Sequence, residues 1–350
     1  MSTNNTKQTC DLIHTLLTEG SFLSLSRFQP ELFFQALSFS LPNSTQVTIT
    51  APGIIVFEPQ QRGDKDIVLS SGIHGNETAP IEICDEFVQG ILRGNIHLAH
   101  RVLFLFGNLP AMNVAKRFID ENLNRLFSGA HSASDGAMNA ECVRAKQLEE
   151  AVRDFFTADT TRLRIHYDLH TAIKPSKNDK FAVYPFRHGR PWNKEQLAFL
   201  LACGINTILL SGSSTTTFSY YSSNEFNAEA FTVELGKVKP FGQNDMSQFA
   251  AVKRTLMQLI CGAQMELKAF DNNDFLIYQV NQVINKHSDA FSFTFSDELA
   301  NFSDFTKGDL LASDGEYQYY CEHDGEAIVF PNANVAIGQR AVLTVVPTKI

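Results

Sequence analysis

The stretch Ile67-Val-Leu-Ser-Ser-Gly-Ile-His-Gly-Asn-Glu-Thr-Ala-Pro80 organises the whole chain. The apolar run at its start predicts a buried strand, and the apolar positions at helical spacing after Pro80 predict a helix. The turn between them brings His74 and Glu77 to the carboxyl end of the strand, where open α/β sheets place their chemistry. An imidazole nitrogen and a carboxylate oxygen are both zinc ligands, and a catalytic zinc takes three protein ligands. Because His-x-x-Glu also recurs by chance on solvated helix ends, the pair gains weight only if the chain supplies a third ligand, a base and an anion-binding group.

The composition is that of an ordinary soluble globular protein. The 350 residues suffice for about two domains, with 44% hydrophobic and 19% charged residues. The first residues lack the apolar core of a secretory signal, and no apolar run reaches the length of a membrane span, which predicts no membrane partner and a cytoplasmic location. The six cysteines are scattered singly, which indicates reduced thiols rather than disulfides or a thiolate zinc site.

The charge balance bears on the partners. A net charge of -9 argues against nucleic acid or an anionic membrane surface. It leaves room for a small anionic substrate, since a local pocket of arginine and lysine can lie on an acidic protein. A homo-oligomer is compatible with this composition, and the sequence does not choose an oligomeric state.

The order of the predicted elements indicates an α/β fold with a mixed, mostly parallel central sheet and flanking helices. The strand and helix described above form a βαβ unit with the near-continuous apolar strand at 102–106. We expect a catalytic domain over residues 1–263, of which 1–60 are an N-terminal helix and strand extension. Short β-rich segments separated by Asp-Gly turns then predict a small C-terminal all-β domain over 264–350.

Two segments show no periodicity and are predicted to be loops. Residues 107–127 follow a sheet strand and contain Pro and several Asn. Residues 211–223 are rich in Ser, Thr and Tyr, which predicts a long loop. Whether this second loop covers the site as a lid is left open.

Arg164-Ile-His-Tyr-Asp-Leu-His170 predicts a strand that supplies the third ligand. Strand alternation puts Asp168 and His170 on one face and aims His170 at the edge that carries the first two candidates. Asp168 is then able to orient an imidazole by accepting its free N–H. A lone strand-end histidine more often bonds a backbone carbonyl, but the His-x-x-Glu pair reverses that preference. His166 shares the face but lies nearer the strand start, so we expect it in the core.

The loop at 107–127 also holds candidate anion-binding residues. A guanidinium group binds a carboxylate through two parallel hydrogen bonds and can stabilise a developing oxyanion beside a metal. Arg125 with Asn124 suits the first role and Arg117 the second. The alternative is that both arginines lie on the surface and pair with nearby acidic residues, as charge runs usually do.

Ala230-Phe-Thr-Val-Glu-Leu-Gly236 places one carboxylate, Glu234, inside an otherwise apolar strand. A carboxylate there faces a polar cavity or is desolvated, and desolvation raises its pKa toward the range useful for a general base. The alternative is a structural ion pair with Lys237 or Lys239 at the sheet edge.

Three blocks of sequence carry a resemblance to a known family. They are Ser71-Gly-Ile-His-Gly-Asn-Glu-Thr-Ala-Pro-Ile-Glu82, Glu121-Asn-Leu-Asn-Arg-Leu-Phe127 and Val233-Glu-Leu-Gly-Lys-Val-Lys-Pro-Phe-Gly242. Together they resemble the aspartoacylase and succinylglutamate desuccinylase branch of the zinc carboxypeptidase superfamily. The matching blocks span about residues 67 to 245, and the chain length and β-rich tail also fit.

This resemblance implies a carboxypeptidase-like fold, one zinc ion per subunit and a set of residue roles. The roles are zinc ligation by His74, Glu77 and His170, general base catalysis by Glu234, contact with the scissile carbonyl by Arg117, and substrate carboxylate binding by Asn124 and Arg125.

The resemblance also implies an activity, zinc-dependent hydrolysis of the linear amide N-succinyl-L-glutamate in arginine catabolism. Asn122 stands where aspartoacylases usually have Asp, which argues against N-acetylaspartate as substrate. Three alternatives stay open: a deacylase of another N-acyl amino acid such as N-acetylaspartate, a peptide carboxypeptidase, and a catalytically silent metal- or anion-binding protein. The β-rich tail disfavours the carboxypeptidase if it narrows the entrance to the site.

Overall fold

The structure is a computed structural model that describes residues 2–133 and 138–350. Its α-helices are α1 (Ser2–Glu19), α2 (Phe22–Phe28), α3 (Thr78–Leu92), α4 (Leu109–Asn113), α5 (Ala140–Thr157), α6 (Lys194–Ala202), α7 (Phe218–Phe226) and α8 (Ala250–Ile260). Short 3-10 turns cover Pro30–Phe33, Leu123–Arg125, Ala130–Ser132, Met246–Phe249 and Asn272–Asp274.

The first group of strands lies before residue 240. They are β1 (Leu37–Ser40), β2 (Gln46–Ala51), β3 (Ile54–Glu58), β4 (Lys65–Ser71), β5 (Arg101–Phe106), β6 (Leu163–Ala172), β7 (Phe181–Tyr184), β8 (Thr207–Leu210) and β9 (Glu229–Lys237). The later strands are β10 (Leu276–Asn285), β11 (Ser292–Phe293), β12 (Ser303–Phe305), β13 (Leu310–Asp314), β14 (Tyr317–Tyr320), β15 (Glu326–Val329) and β16 (Arg340–Pro347).

The chain forms two compact units, and the first comprises Met1–His170, Thr215–Thr232 and Val238–Leu267. Its strands are ordered β1-β2-β3-β5-β4-β6. The outer strands pair antiparallel, whereas β4 pairs in parallel with both β5 and β6. Because β4 and β6 are parallel neighbours, their carboxyl ends meet at one edge of the sheet.

Helices cover the strands that carry this edge. β5 is buried at every position and β4 at all but its first, as expected for parallel strands with helices on both faces. Both α3 and α5 contact these two strands. The apolar cluster under α5 and α7 includes Val68, Leu105, Leu148, Phe156 and Phe218. The sheet edge is therefore held by a closely packed core.

The second unit comprises Thr171–Ser214, Val233–Lys237 and Lys268–Ile350. Within it the strand order is β7-β8-β10-β16-β15-β12, and β11-β13-β14 form a separate small sheet. The pairs β7–β8 and β8–β10 are parallel and the remaining pairs are antiparallel. Strand β9 begins in the first unit and ends in the second.

The predicted fold class is confirmed. The structure combines a mixed sheet, parallel at its central strands, with flanking helices and a β-rich C-terminal part. The domain boundary after residue 263 stays a prediction. Among the helices of the described residues, none is both long enough and apolar enough to cross a membrane.

The loop predicted at 211–223 is wrong in its second half. Helix α7 begins at Phe218, whose ring stacks on Phe127 with the centroids 4.2 Å apart. Its buried positions include serines that bond other buried polar groups, as Ser219 does with Thr232 at 2.7 Å. A helix that buries serines has no apolar periodicity, which is why the sequence pattern did not indicate it.

The loop predicted at 107–127 also contains a short helix, α4. Asn108 caps it, because its side-chain oxygen accepts from the Ala111 N–H at 3.2 Å, and Pro110 occupies the first turn. Buried Glu141 secures the same segment, since its Oε1 accepts from the Asn108 side chain at 3.1 Å and from the Ile119 N–H at 2.7 Å. Most of this loop is therefore fixed by hydrogen bonds.

Asp85 on α3 gives the first unit a pH-dependent stability. Burial raises the pKa of Asp85 to about 6, although Gln89 donates to its carboxylate at 2.7 Å. The folded state therefore binds this proton more tightly than the unfolded state. The stabilisation is complete below the unfolded pKa near 4 and is lost as the pH rises through about 6.

We expect Asp85→Asn to stabilise the protein at neutral pH, because the amide avoids a buried charge. At about 1.4 kcal/mol per pKa unit, the gain over the parent should grow by up to about 3 kcal/mol from pH 4 to pH 7. Urea unfolding at both pH values measures it. Glu86→Gln, at an exposed neighbour, is the control and should show no such trend. A gain that is equal at the two pH values would contradict the assignment.

Candidate metal centre and active site

The Glu77 carboxylate lies between two buried histidines. Its Oε1 is 2.8 Å from His74 Nδ1 and its Oε2 is 2.8 Å from His170 Nδ1. All three side chains are at most 3% exposed, and their ligand atoms lie within 4.8 Å of one another. The turn after β4 supplies the first two residues and β6 supplies the third. These three residues therefore form a group that could hold one metal ion.

The protonation of His74 favours a cation at this place. Burial, with the nearby Arg117 charge, lowers the pKa of His74 to about 4, so the ring is neutral at pH 7 and carries one proton. That proton is on Nε2, which donates to Asn122 Oδ1 at 2.9 Å. Within the described residues Nδ1 makes no hydrogen bond, and it faces the Glu77 oxygen with a bare lone pair. Two acceptor atoms 2.8 Å apart repel each other unless a cation binds both.

The Glu77 carboxyl group is ionised. Burial opposes its charge, but the two histidines and the Arg117 guanidinium together hold the pKa of Glu77 well below its ordinary value. Arg117 Nη1 donates to Glu77 Oε1 at 2.6 Å, and the Arg117 side chain is 35% exposed. A buried anion with imidazole nitrogens on either side is the donor set that divalent zinc accepts.

His170 is oriented by Asp168, as the sequence predicted for that carboxylate. Its Nε2 donates to Asp168 Oδ2 at 2.9 Å, which turns Nδ1 toward Glu77. Burial opposes a charge on this ring, but the two flanking carboxylates raise the pKa of His170 well above its ordinary value. An ion bound there would take the place of the Nδ1 proton.

A buried chain of hydrogen bonds extends from Asp168 into the core. Ser70 Oγ donates to Asp168 Oδ1 at 2.6 Å and lies 2.8 Å from His166 Nε2. His166 Nδ1 is 2.7 Å from Ser222 Oγ on α7. Because burial lowers the pKa of His166 to about 4, this ring is neutral, with its proton on Nε2 and Ser222 as the donor to Nδ1. His166 is therefore a core residue, as predicted. Through Ser70 it helps to hold the Asp168 carboxylate, which accepts the hydrogen bond from His170.

Glycine is required where the ligand turn packs against α4. A Cβ at Gly75 would lie 2.3 Å from the backbone of Ala111 and Met112. The Gly75 N–H donates to the Arg117 carbonyl at 3.1 Å, which joins the ligand turn to the loop that carries this arginine. The close approach of the two backbones positions the Arg117 side chain beside Glu77.

The 3-10 turn Leu123–Arg125 carries the other candidate substrate-binding residues. Asn124 Oδ1 accepts from the Phe218 N–H at 3.0 Å, so its side-chain amide group is the part able to donate to a ligand. Burial, with the nearby Arg117 charge, lowers the pKa of Arg125 to about 10. Within the described residues no carboxylate lies at ion-pair distance from Arg125, whose Nη1 donates to the Asn124 carbonyl at 2.9 Å. A half-buried cation beside a second cation favours an anionic ligand.

Glu234 lies on β9, in the Val233–Lys237 segment of the second unit, and is 7% exposed. Little of this carboxylate is therefore in contact with solvent. Its role as general base stays a prediction.

The structure brings most of the predicted site residues together. The three metal-ligand candidates and Arg117 form one cluster, and Asn124 and Arg125 lie on the turn that begins beside His74. Their predicted roles stay predictions. Two outer residues were missed, Asn122 as a partner of His74 and Ser70 as a partner of Asp168. The parallel register of β4 and β6, which sets Ser70 opposite Asp168, could have indicated the second.

An α/β sheet with a His-Glu-His group at the carboxyl ends of its strands defines a class of protein, the α/β proteins in which such a group could hold a metal ion. Comparison with known proteins narrows this class to one family. The model of the succinylglutamate desuccinylase/aspartoacylase catalytic domain matches residues 63–260, and that of the AstE/AspA barrel-sandwich hybrid domain matches residues 273–348. The chain belongs to the succinylglutamate desuccinylase/aspartoacylase family.

Individual relatives agree with this assignment. A succinylglutamate desuccinylase from Pseudoalteromonas atlantica is 62% identical over 352 residues, which cover 100% of both chains. The crystal structure of the succinylglutamate desuccinylase from Chromobacterium violaceum is 36% identical, with a TM-score of 0.81 and coverage of 94% of this chain and 98% of that one. The corresponding structure from Vibrio parahaemolyticus is 34% identical, with a TM-score of 0.84 and coverage of 95% and 96%.

Proposed function

We propose that the chain hydrolyses the amide of N-succinyl-L-glutamate to succinate and L-glutamate, with zinc held by His74, Glu77 and His170. The observation that carries the proposal is the position of the Glu77 carboxylate between two imidazole Nδ1 atoms whose Nε2 protons are already donated elsewhere. The choice of N-succinyl-L-glutamate as substrate rests on the similar proteins, which are named succinylglutamate desuccinylases. A place in arginine catabolism and a cytoplasmic location stay predictions.

The donor set fits zinc. Zinc prefers histidine nitrogen and carboxylate oxygen, and catalytic sites use three protein ligands. A bound zinc ion would act as a Lewis acid and make water a nucleophile at neutral pH. The chain's own contribution is to aim the Nδ1 atoms of both rings at the place of the ion. It does so with Asn122 on one ring and Asp168 on the other.

Arg117 is suited to the oxygen of the scissile carbonyl. Its guanidinium already contacts Glu77 Oε1, and one third of the side chain remains exposed. A guanidinium donates from several N–H groups in fixed directions, so one can hold Glu77 while others face a substrate. Charge that develops on the carbonyl oxygen during attack by water would be stabilised there.

Arg125 and Asn124 are suited to a substrate carboxylate. Arg125 lacks a carboxylate partner among the described residues and lies near a second cation. N-Succinyl-L-glutamate carries several carboxylates, and a two-pronged contact with one of them would offset the cost of burying this cation. The same turn contacts the ligand His74 through Asn122, so a carboxylate bound here would lie beside the metal site.

Glu234 is the proposed general base. In this role it accepts a proton from the attacking water and returns it to the nitrogen of the leaving glutamate. The low exposure of the carboxylate, 7%, limits its contact with bulk water, so a proton can pass between it and a bound substrate.

Release of primary amine from N-succinylglutamate and from N-acetylaspartate, assayed side by side, tests the function. We expect release from the succinyl compound in the zinc-loaded protein, loss of it after treatment with a chelator, and recovery when zinc is restored. Preferential release from N-acetylaspartate would mean that this compound, and not N-succinylglutamate, is the substrate of the same metal site. Zinc binding without release from any N-acyl amino acid would favour the silent metal-binding protein.

Glu234→Gln should keep zinc affinity and lose turnover. Removal of a general base lowers kcat by about 100- to 10,000-fold, while an amide at this position leaves the proposed ligands unchanged. Metal content and kcat are measured on the same preparation. Glu229→Gln at the start of β9 is the matched control and should retain most of the parent kcat. A variant with the parent kcat would exclude Glu234 as the base.

Arg125→Ala should raise KM for the anionic substrate. Loss of a hydrogen bond to a charged group corresponds to about a 10- to 100-fold rise, with a smaller effect on kcat. Initial rates over a range of N-succinylglutamate concentrations separate the two constants. Arg62→Ala, at a side chain that is 51% exposed, is the control and should not change KM. An unchanged KM in Arg125→Ala would mean that the substrate carboxylate binds elsewhere.

A further inference from the structure

The side chain of Asn122 serves two elements of the site at once. Its Oδ1 accepts from His74 Nε2 at 2.9 Å and from the Asn124 N–H at 3.0 Å. Its backbone carbonyl accepts from the Arg125 N–H at 2.9 Å. One residue thus contacts a metal-ligand candidate with its side chain and both substrate-binding candidates of the 3-10 turn.

The orientation of the Asn122 amide follows from these donors. A backbone N–H can only donate, so the atom that faces Asn124 must be the side-chain oxygen. The same oxygen faces His74, and because an amide oxygen can only accept, the ring must donate from Nε2. This hydrogen bond leaves the Nδ1 lone pair of His74 for the metal. A ring with the other tautomer would place a proton where the ion binds.

We propose that Asn122 is a positioning residue that couples the metal ligand His74 to the substrate-binding turn. Its oxygen fixes the tautomer and direction of His74 and at the same time caps the turn that carries Asn124 and Arg125. Metal affinity and substrate affinity therefore depend on one carboxamide. The substrate half of this inference rests on the proposed function, whereas the metal half does not.

Three substitutions separate the two contacts. Asn122→Ala removes both. Asn122→Ser keeps an oxygen able to cap the turn, but the shorter side chain does not reach the imidazole. Asn122→Asp keeps an acceptor for both donors. We expect Zn²⁺ affinity to fall about 10- to 100-fold in the Ala and Ser variants, the usual cost of losing an outer partner of a ligating histidine, and to be retained in the Asp variant.

Zn²⁺ affinity is measured without substrate, by competition with a chromophoric chelator. The absorption spectrum of the Co²⁺-loaded proteins gives a second readout, because its visible bands change when the ligand geometry changes. KM for N-succinylglutamate should rise in the Ala variant and stay near the parent value in the Ser variant. Circular dichroism of the metal-free proteins checks that each variant is folded. If the Ala variant does not fold, the Ser and Asp variants still test the metal half.

Equal Zn²⁺ affinity and equal Co²⁺ spectra in the parent and the Ser variant would overturn the proposal. The substrate half of the proposal would be overturned if the Ser variant had a lower Zn²⁺ affinity while the Ala variant kept the parent KM. Failure of the proposed function would look different, because the parent protein would not cleave N-succinylglutamate. The effect on metal affinity would still be measurable in that case.

Discussion

The Glu77 carboxylate, held between two buried imidazoles, is the interaction on which the site depends. A buried anion is costly unless cations or hydrogen bonds surround it. Here the surroundings come from separate parts of one unit: the turn after β4 supplies His74, β6 supplies His170, and the loop before the 3-10 turn supplies Arg117. The parallel pairing of β4 with β6 and the packing of α4 on the ligand turn both act to bring these groups to one point.

The sequence was informative wherever function depends on short spacing or on strand geometry. His74 and Glu77 are close because they share one turn, and His170 joins them because parallel strands end at the same edge. The βαβ unit and the β-rich tail were visible as hydrophobic periodicity, since the strands concerned are buried on both faces or alternate. Each of these inferences needed only local patterns and general rules of sheet topology.

Other features depend on contacts between residues distant in the chain. The departure from the aspartoacylase motif at Asn122 was visible, but not that this residue contacts His74, 48 positions away. Helix α7 was missed because its buried face carries serines, whose partners are on other elements, such as His166 on β6. The pairing of Arg117 with Glu77, rather than with its acidic neighbours in sequence, likewise follows from the close approach of two backbones at Gly75.

The bare nitrogen of His74, 2.8 Å from a carboxylate oxygen, has a consequence for the protein as a whole. The folded chain brings these two groups together in a buried site, whereas the unfolded chain does not. A cation that binds both groups would bind the native state and not the unfolded one, so its binding free energy would add to conformational stability. If the proposed zinc binds here, the fraction of chains that stay folded in a cell follows the availability of the metal, and a shortage reduces the amount of protein as well as its activity.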